Sequence, residues 1–149
     1  MGAMTTVHAW DDFSLEALPA LAQQMAEALP MTGVVAVHGP MGAGKTTLIR
    51  ALLQAWEVEE PAASPTFGLV HHHQVTRNGR STEVRHMDLY RLADEEEAER
   101  SGIADMLHDP VLTLVEWPER IPGLMPDDAW MVRLVPVDGG GRSCILSHL

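Results

Sequence analysis

The chain has 149 residues, of which 46% are hydrophobic, enough for a buried core and room for one domain spanning 1–149. Its formal net charge of −11 excludes a basic footprint for gripping nucleic acid by itself. No apolar stretch approaches the roughly 20 residues of a membrane span, no signal-like leader is visible, and a lone Cys144 excludes an internal disulfide and fits a reducing cytoplasm.

Met1, Gly2 and Ala3 ahead of Met4 read as an expression remnant. Residues 5–10 suit a short first strand, and the Ala- and Leu-rich residues 15–29 suit a helix with Pro19 in its first turn, where a missing N–H does no harm. The apolar, β-branched run 33–38 then reads as a buried strand, and residues 46–56 carry apolar side chains at helical spacing.

Between them lies Gly39-Pro40-Met41-Gly42-Ala43-Gly44-Lys45-Thr46, of the form G-x-x-x-x-G-K-[ST]. Strand, glycine-rich loop and helix come in the order that a phosphate-binding loop requires. Met41, Gly42, Ala43, Gly44, Lys45, Thr46 and Thr47 are its expected nucleotide-binding residues. The glycines let several N–H groups converge on one anion, and the helix N-terminus adds its dipole. Lys45 is the only lysine in the chain, the other nine basic residues being arginine. An ammonium is a compact point charge on a flexible stem, suited to the β- and γ-phosphates, while the Thr46 hydroxyl is expected to ligate Mg²⁺. With no second lysine there can be no guanine-reading N-K-x-D, which favours ATP.

Residues 57–63 read as an acidic loop. Residues 67–76 and 81–89 flank Arg77-Asn78-Gly79-Arg80, a strong hairpin signal. Within the first arm, His71-His72-His73 reads as a solvated strand rather than a zinc site, because no further ligand has convincing spacing. Residues 94–100 suit a charged helix. Residues 111–115 suit a buried strand ending at Glu116, followed by an irregular stretch punctuated by Pro118, Pro122 and Pro126. Residues 130–135 and 143–147 suit a second hairpin across Asp138-Gly139-Gly140-Gly141. Helices mixed with paired strands imply an α/β fold of the P-loop NTPase type, three-layered with a mixed parallel and antiparallel sheet.

Phosphate chemistry also needs a carboxylate at the metal and a group that positions the nucleophile. Glu116, at the end of an apolar strand, has the form of a Walker B acid. Asp88 is the second candidate, for the metal or for water positioning. Thr66, in Ser64-Pro65-Thr66-Phe67, stands where a γ-phosphate-sensing threonine would. Its other reading is a proline-stiffened loop whose hydroxyls bond the backbone.

Five segments appear in order: Gly42-Ala43-Gly44-Lys45-Thr46-Thr47, Ser64-Pro65-Thr66-Phe67, His86-Met87-Asp88-Leu89-Tyr90-Arg91-Leu92, Gly102-Ile103-Ala104-Asp105 and Leu114-Val115-Glu116-Trp117-Pro118-Glu119. Together they resemble the TsaE (YjeE-type) ATPases of bacterial tRNA threonylcarbamoyladenosine biosynthesis, over roughly residues 14–142. The resemblance implies a domain that binds ATP and Mg²⁺, hydrolyses ATP slowly alone, and resets the transferase formed by TsaD and TsaB, with tRNA met only through them. It implies Thr46 and Glu116 at Mg²⁺, Asp88 in the hydrolytic site, Thr66 in a switch-like loop, and Trp117 and Arg142 near the nucleotide. Pro40-Met41, His73 and Ser101 depart from the family pattern at positions that need not touch phosphate. The competing classes are a small-molecule kinase and a non-hydrolysing nucleotide-gated adaptor. An acidic chain suits a basic region on a protein partner. Association with that partner is then expected to weaken as salt rises in a binding titration, and a salt-independent affinity would refute the idea.

Overall fold

The computed structural model describes residues 3–60 and 64–149. Seven strands form one sheet: β1 (Thr5–Phe13), β2 (Gly33–His38), β3 (Val70–Arg77), β4 (Arg80–Asp88), β5 (Leu112–Glu116), β6 (Trp130–Pro136) and β7 (Arg142–His148). Their spatial order is β1-β7-β6-β2-β5-β4-β3. The central strands β6, β2, β5 and β4 are mutually parallel, while β3 on one side and β7 and β1 on the other run antiparallel to their neighbours. The mixed α/β sheet expected from the sequence is therefore the one that forms.

Four helices cover the two faces: α1 (Leu18–Ala28), α2 (Lys45–Ala55), α3 (Glu95–Ser101) and α4 (Ile103–Met106). Helix α1 buries Leu18, Leu21, Ala22, Met25 and Ala26, and α2 buries Leu48, Ile49, Leu52 and Leu53. Both sets follow the i, i+3, i+4, i+7 spacing of a single helical stripe. The stripes pack on Val35, Val37, Leu112 and Leu114. Val34, Val115 and Met87 point the other way and meet Ala98 of α3 and Ile103 of α4. Period-two alternation along the buried strands thus supplies both apolar faces of a three-layer arrangement.

Several local features sharpen the sequence reading. The first strand runs three residues past the expected end, with register irregularities between Thr6 and His8 and between Trp10 and Phe13. The helix expected from residue 15 opens as a 3₁₀ turn at Leu15–Ala17, and Pro19 lies at the start of α1. Asn78 and Gly79 both have positive φ, 53° and 76°, the primed turn that suits the right-handed twist of a hairpin. Phe67 and Gly68 also have positive φ, so the arm of that hairpin starts only at Val70. Asp94 caps α3 by accepting the Glu97 N–H at 2.9 Å, and Gly102 ends it in the left-handed region. The expected loop at Pro61, Ala62 and Ala63 lies outside the described residues, as do Met1 and Gly2. Among the described residues no helix is long and apolar enough to cross a membrane.

Arg77 closes the end of α1 from the hairpin. Its guanidinium donates to the carbonyls of Pro30, Leu29 and Ala26 at 2.7, 2.8 and 3.3 Å, and lies 4.7 Å over the Trp56 ring. These carbonyls carry the negative end of the helix dipole. Burial pulls the guanidinium pKa down, yet the hydrogen bonds to Pro30 and Leu29 are both short. Arg77→Ala is expected to lower unfolding free energy in urea by about 2–3 kcal/mol, with Arg77→Lys recovering only part because it cannot span three carbonyls.

Candidate functional site

In parallel strands the carboxyl ends fall on one edge, and this sheet places its chemistry there. β2 ends at His38, immediately before the glycine-rich loop. Register pairs Val37 with Glu116 and Glu116 with Asp88, so the two candidate carboxylates sit level on adjacent strands beside the loop. A pocket of about 460 Å³ opens at this edge, walled by Gly42, Lys45, Thr46, Asp88, Glu116 and Trp117.

The loop is tightly fitted. A Cβ on Gly39 would collide with the carbonyl oxygen of Leu134, and Gly44, with φ of 106°, caps α2 in a conformation that side chains rarely adopt. Ala43 N–H donates to Pro40 O at 3.1 Å and Leu48 N–H to Gly44 O at 2.8 Å, closing the loop onto the helix. Arg142 braces it from β7. Its Nε donates to Ala43 O at 2.9 Å and its Nη2 to Gly42 O at 3.4 Å, while Nη1 holds Gly140 O and Gly141 O. Arg142 is thus brought to the site as a support of the loop backbone.

Lys45 is 6% exposed and donates to Gly39 O. Its Nζ lies 3.5 Å from the centroid of the Trp117 ring, a cation–π contact. Burial lowers the ammonium pKa, against the opposing pull of Glu116, Glu119 and Asp88. Trp117 itself has φ 59° and ψ 48°, left-handed for a bulky residue, and leans on Tyr90 at 5.2 Å between ring centroids. Such a conformation costs roughly 1–2 kcal/mol and persists only where neighbours hold it.

Glu116 is 2% exposed. It accepts from Thr46 Oγ1 at 2.9 and 3.2 Å on its two oxygens, and His86 Nε2 lies 2.6 Å from Oε2. Burial on its own would raise the carboxyl pKa, but the His86 hydrogen bond and charge, the Thr46 hydroxyl and Lys45 outweigh it, and the group sits below its ordinary value. Asp88 is half-buried and accepts the Tyr90 N–H at 3.1 Å, which leaves its other oxygen free for the pocket. Thr46, Glu116 and Asp88 offer oxygen donors only, the set a hard cation such as Mg²⁺ takes, and Lys45 and the loop amides offer positive charge for phosphate.

Thr66 lies apart from this cluster. Its hydroxyl is 2.9 Å from His72 Nε2, and His72 Nδ1 is 3.0 Å from Glu83, which also pairs with Arg85 at 2.8 Å. The hydroxyl is thus engaged by a side chain rather than by the backbone. The three consecutive histidines are half-buried, not solvated as their polarity suggested. His72 joins this network, while His71 and His73 face α2. Among the described residues no group of three His, Cys, Asp or Glu side chains is arranged to hold a metal. Cys144 is buried in the core, where burial pushes its thiol up to about 12, so it is inert.

The sequence profile described as "Threonylcarbamoyl adenosine biosynthesis protein TsaE" matches residues 13–143. The chain belongs to the TsaE family. A Haemophilus influenzae protein named tRNA threonylcarbamoyladenosine biosynthesis protein TsaE is 38% identical over 123 residues, covering 75% of each chain. The Mycobacterium tuberculosis protein of that name is 38% identical over 104 residues, 66% of this chain and 61% of the relative's length. The crystal structure of YdiB from Bacillus superposes with a TM-score of 0.75 at 20% identity, covering 99% of this chain and 88% of that one, and so shares the fold.

Three of the five segments that carry the TsaE resemblance converge in space: the loop, Asp88 and the Glu116-Trp117 pair border the same pocket, whereas residues 64–67 and 102–105 do not line it. His86 and Tyr90 were given no role from sequence. The signal for His86 lay in its spacing from Asp88, since residues two apart on a strand share a face.

A phosphate in the loop would compete with the Trp117 ring for the Lys45 ammonium. Adding ATP is therefore expected to change tryptophan emission in wild type, whereas Trp117→Phe binds ATP in calorimetry without that emission change. Lys45→Ala is expected to lose ATP binding altogether in the same calorimetric measurement.

Proposed function

We propose that this chain binds ATP with Mg²⁺, hydrolyses it, and uses the hydrolysis to support tRNA threonylcarbamoyladenosine modification through the TsaD and TsaB transferase subunits, as one cytoplasmic P-loop domain. The observation that carries the reading is the buried Glu116 carboxylate bonded to the Thr46 hydroxyl at the foot of the phosphate loop, level with Asp88 on the next strand. The relatives are named for tRNA threonylcarbamoyladenosine biosynthesis, which supports the pathway, and the acidic chain suits a protein partner that carries the tRNA.

In this reading the loop amides and Lys45 would hold the phosphates, and Thr46 and Glu116 would hold Mg²⁺. A cation held there would supply positive charge toward the phosphate oxygens. Lys45 leaves Gly39 O and the Trp117 face to meet the β- and γ-phosphates. Asp88, with one oxygen fixed by the Tyr90 N–H, keeps the other to orient an attacking water. Trp117 and Tyr90 shield the reacting end from bulk water. Arg142 keeps the loop carbonyls turned outward, so that its amides stay aimed at the anion. Thr66, held by His72 at 2.9 Å, would have to leave that partner to reach the γ-phosphate end.

Asp88→Asn is expected to lower ATP turnover by about 100-fold or more while ATP still binds, measured as phosphate release beside calorimetry. Turnover equal to wild type in both Asp88→Asn and Glu116→Ala would favour a non-hydrolysing adaptor instead. Phosphoryl transfer to a nucleoside or sugar above the hydrolysis background would favour a kinase. Capture of the TsaD and TsaB pair, dependent on ATP, tests the partner assignment.

A further inference from the structure

The Glu116 carboxylate is met from two sides. Thr46 Oγ1 reaches it from α2, at 2.9 Å from Oε1. His86 Nε2 reaches Oε2 from β4 at 2.6 Å. One donor leaves a carboxylate free to turn about its terminal torsion, which is broad, but two donors on different elements fix its plane. The imidazole is held in turn. His71 stands opposite His86 in the β3–β4 ladder, and the two rings stack at 5.5 Å between centroids with 25° between planes. His73 continues the row, 6.4 Å from His71. This row lines a cleft of about 290 Å³ against Ile49 and Leu53 of α2, and the cleft meets the phosphate-loop pocket at Thr46 and Asp88.

From this geometry we infer that His86 is a positioning residue: it donates Nε2–H to Glu116 and aims that carboxylate at the cation facing Thr46, while His71 sets the plane of the His86 ring. The inference rests on reading the site as a Mg²⁺-nucleotide centre. The His86 contact and cation binding are compatible. The Thr46 hydroxyl can give its hydrogen to Glu116 while its lone pairs face a metal, and Glu116 keeps lone pairs that neither donor uses. Groups that orient a metal ligand from behind typically account for about 10- to 100-fold in metal affinity.

The test uses the full chain and a fluorescent, non-hydrolysable ATP analogue, titrated with Mg²⁺ and read as the midpoint of the Mg²⁺-dependent signal. His86→Ala is expected to raise that midpoint by about 10- to 100-fold, with analogue affinity in the absence of Mg²⁺ within about twofold of wild type. His86→Gln, whose amide nitrogen reaches toward the Nε2 position, is expected to recover most of the loss, and His71→Ala to show a smaller shift than His86→Ala. If His86→Ala does not fold, His86→Met fills the ring's space without a donor and is expected to show the same loss. A wild-type midpoint in a folded His86→Ala or His86→Met overturns the inference, and a lower midpoint overturns it by showing that the imidazole competes with the cation. A wild type that binds the analogue with no Mg²⁺ dependence defeats the Mg²⁺ centre itself, and with it the role of His86.

Discussion

A carboxylate buried to 2% exposure cannot stand alone, and the architecture around Glu116 answers that constraint. Its position at the end of β5, between two parallel strands, removes it from water. What replaces the water comes from two elements: a hydroxyl and the Lys45 ammonium from the first turn of α2, and an imidazole from β4. Two of these groups hold a second contact: Lys45 rests on Trp117 and His86 on His71. The charge of one side chain therefore organises a shell that reaches from the phosphate loop to the edge of the sheet.

Elsewhere, two arginines that pair with no acid among the described residues steady backbone at separate places. Arg142 holds loop carbonyls and Arg77 holds the carbonyls that finish α1. Both use the planar guanidinium fork to gather several backbone oxygens, a task for which an ammonium has the wrong geometry. That division of labour gives a physical reading to the composition of the chain. At these two positions arginine secures backbone, and the one lysine stands in the glycine-rich motif.

What could be read from the sequence was what lies close together along it. The glycine-rich motif is eight consecutive residues that join a strand to a helix, and Asn78-Gly79 declares its own turn. Glu116 was legible as an acid closing an apolar strand. The contact of His86 with Glu116 was not, because it depends on β4 lying beside β5, a pairing that no local pattern encodes. Arg142 meets Ala43 and Gly42 across most of the chain, and the partner of Thr66 came from a histidine whose neighbours suggested a wet strand. The pairing of β1 with β7 is the extreme case, joining Thr5 to His148. Periodicity specifies which face of an element is apolar, but tertiary pairing decides which polar tips meet.

That last pairing has a consequence for how the protein comes into being on the ribosome. Chains emerge from their N-terminus, and contacts between distant segments form late. Here β1 waits for β7, and the loop at the centre of the chain waits for Arg142 on that same final strand. A nascent or prematurely ended chain would display the glycine-rich motif in full and still lack the brace that shapes it. The glycine-rich loop is therefore braced only once the last strand has joined the sheet.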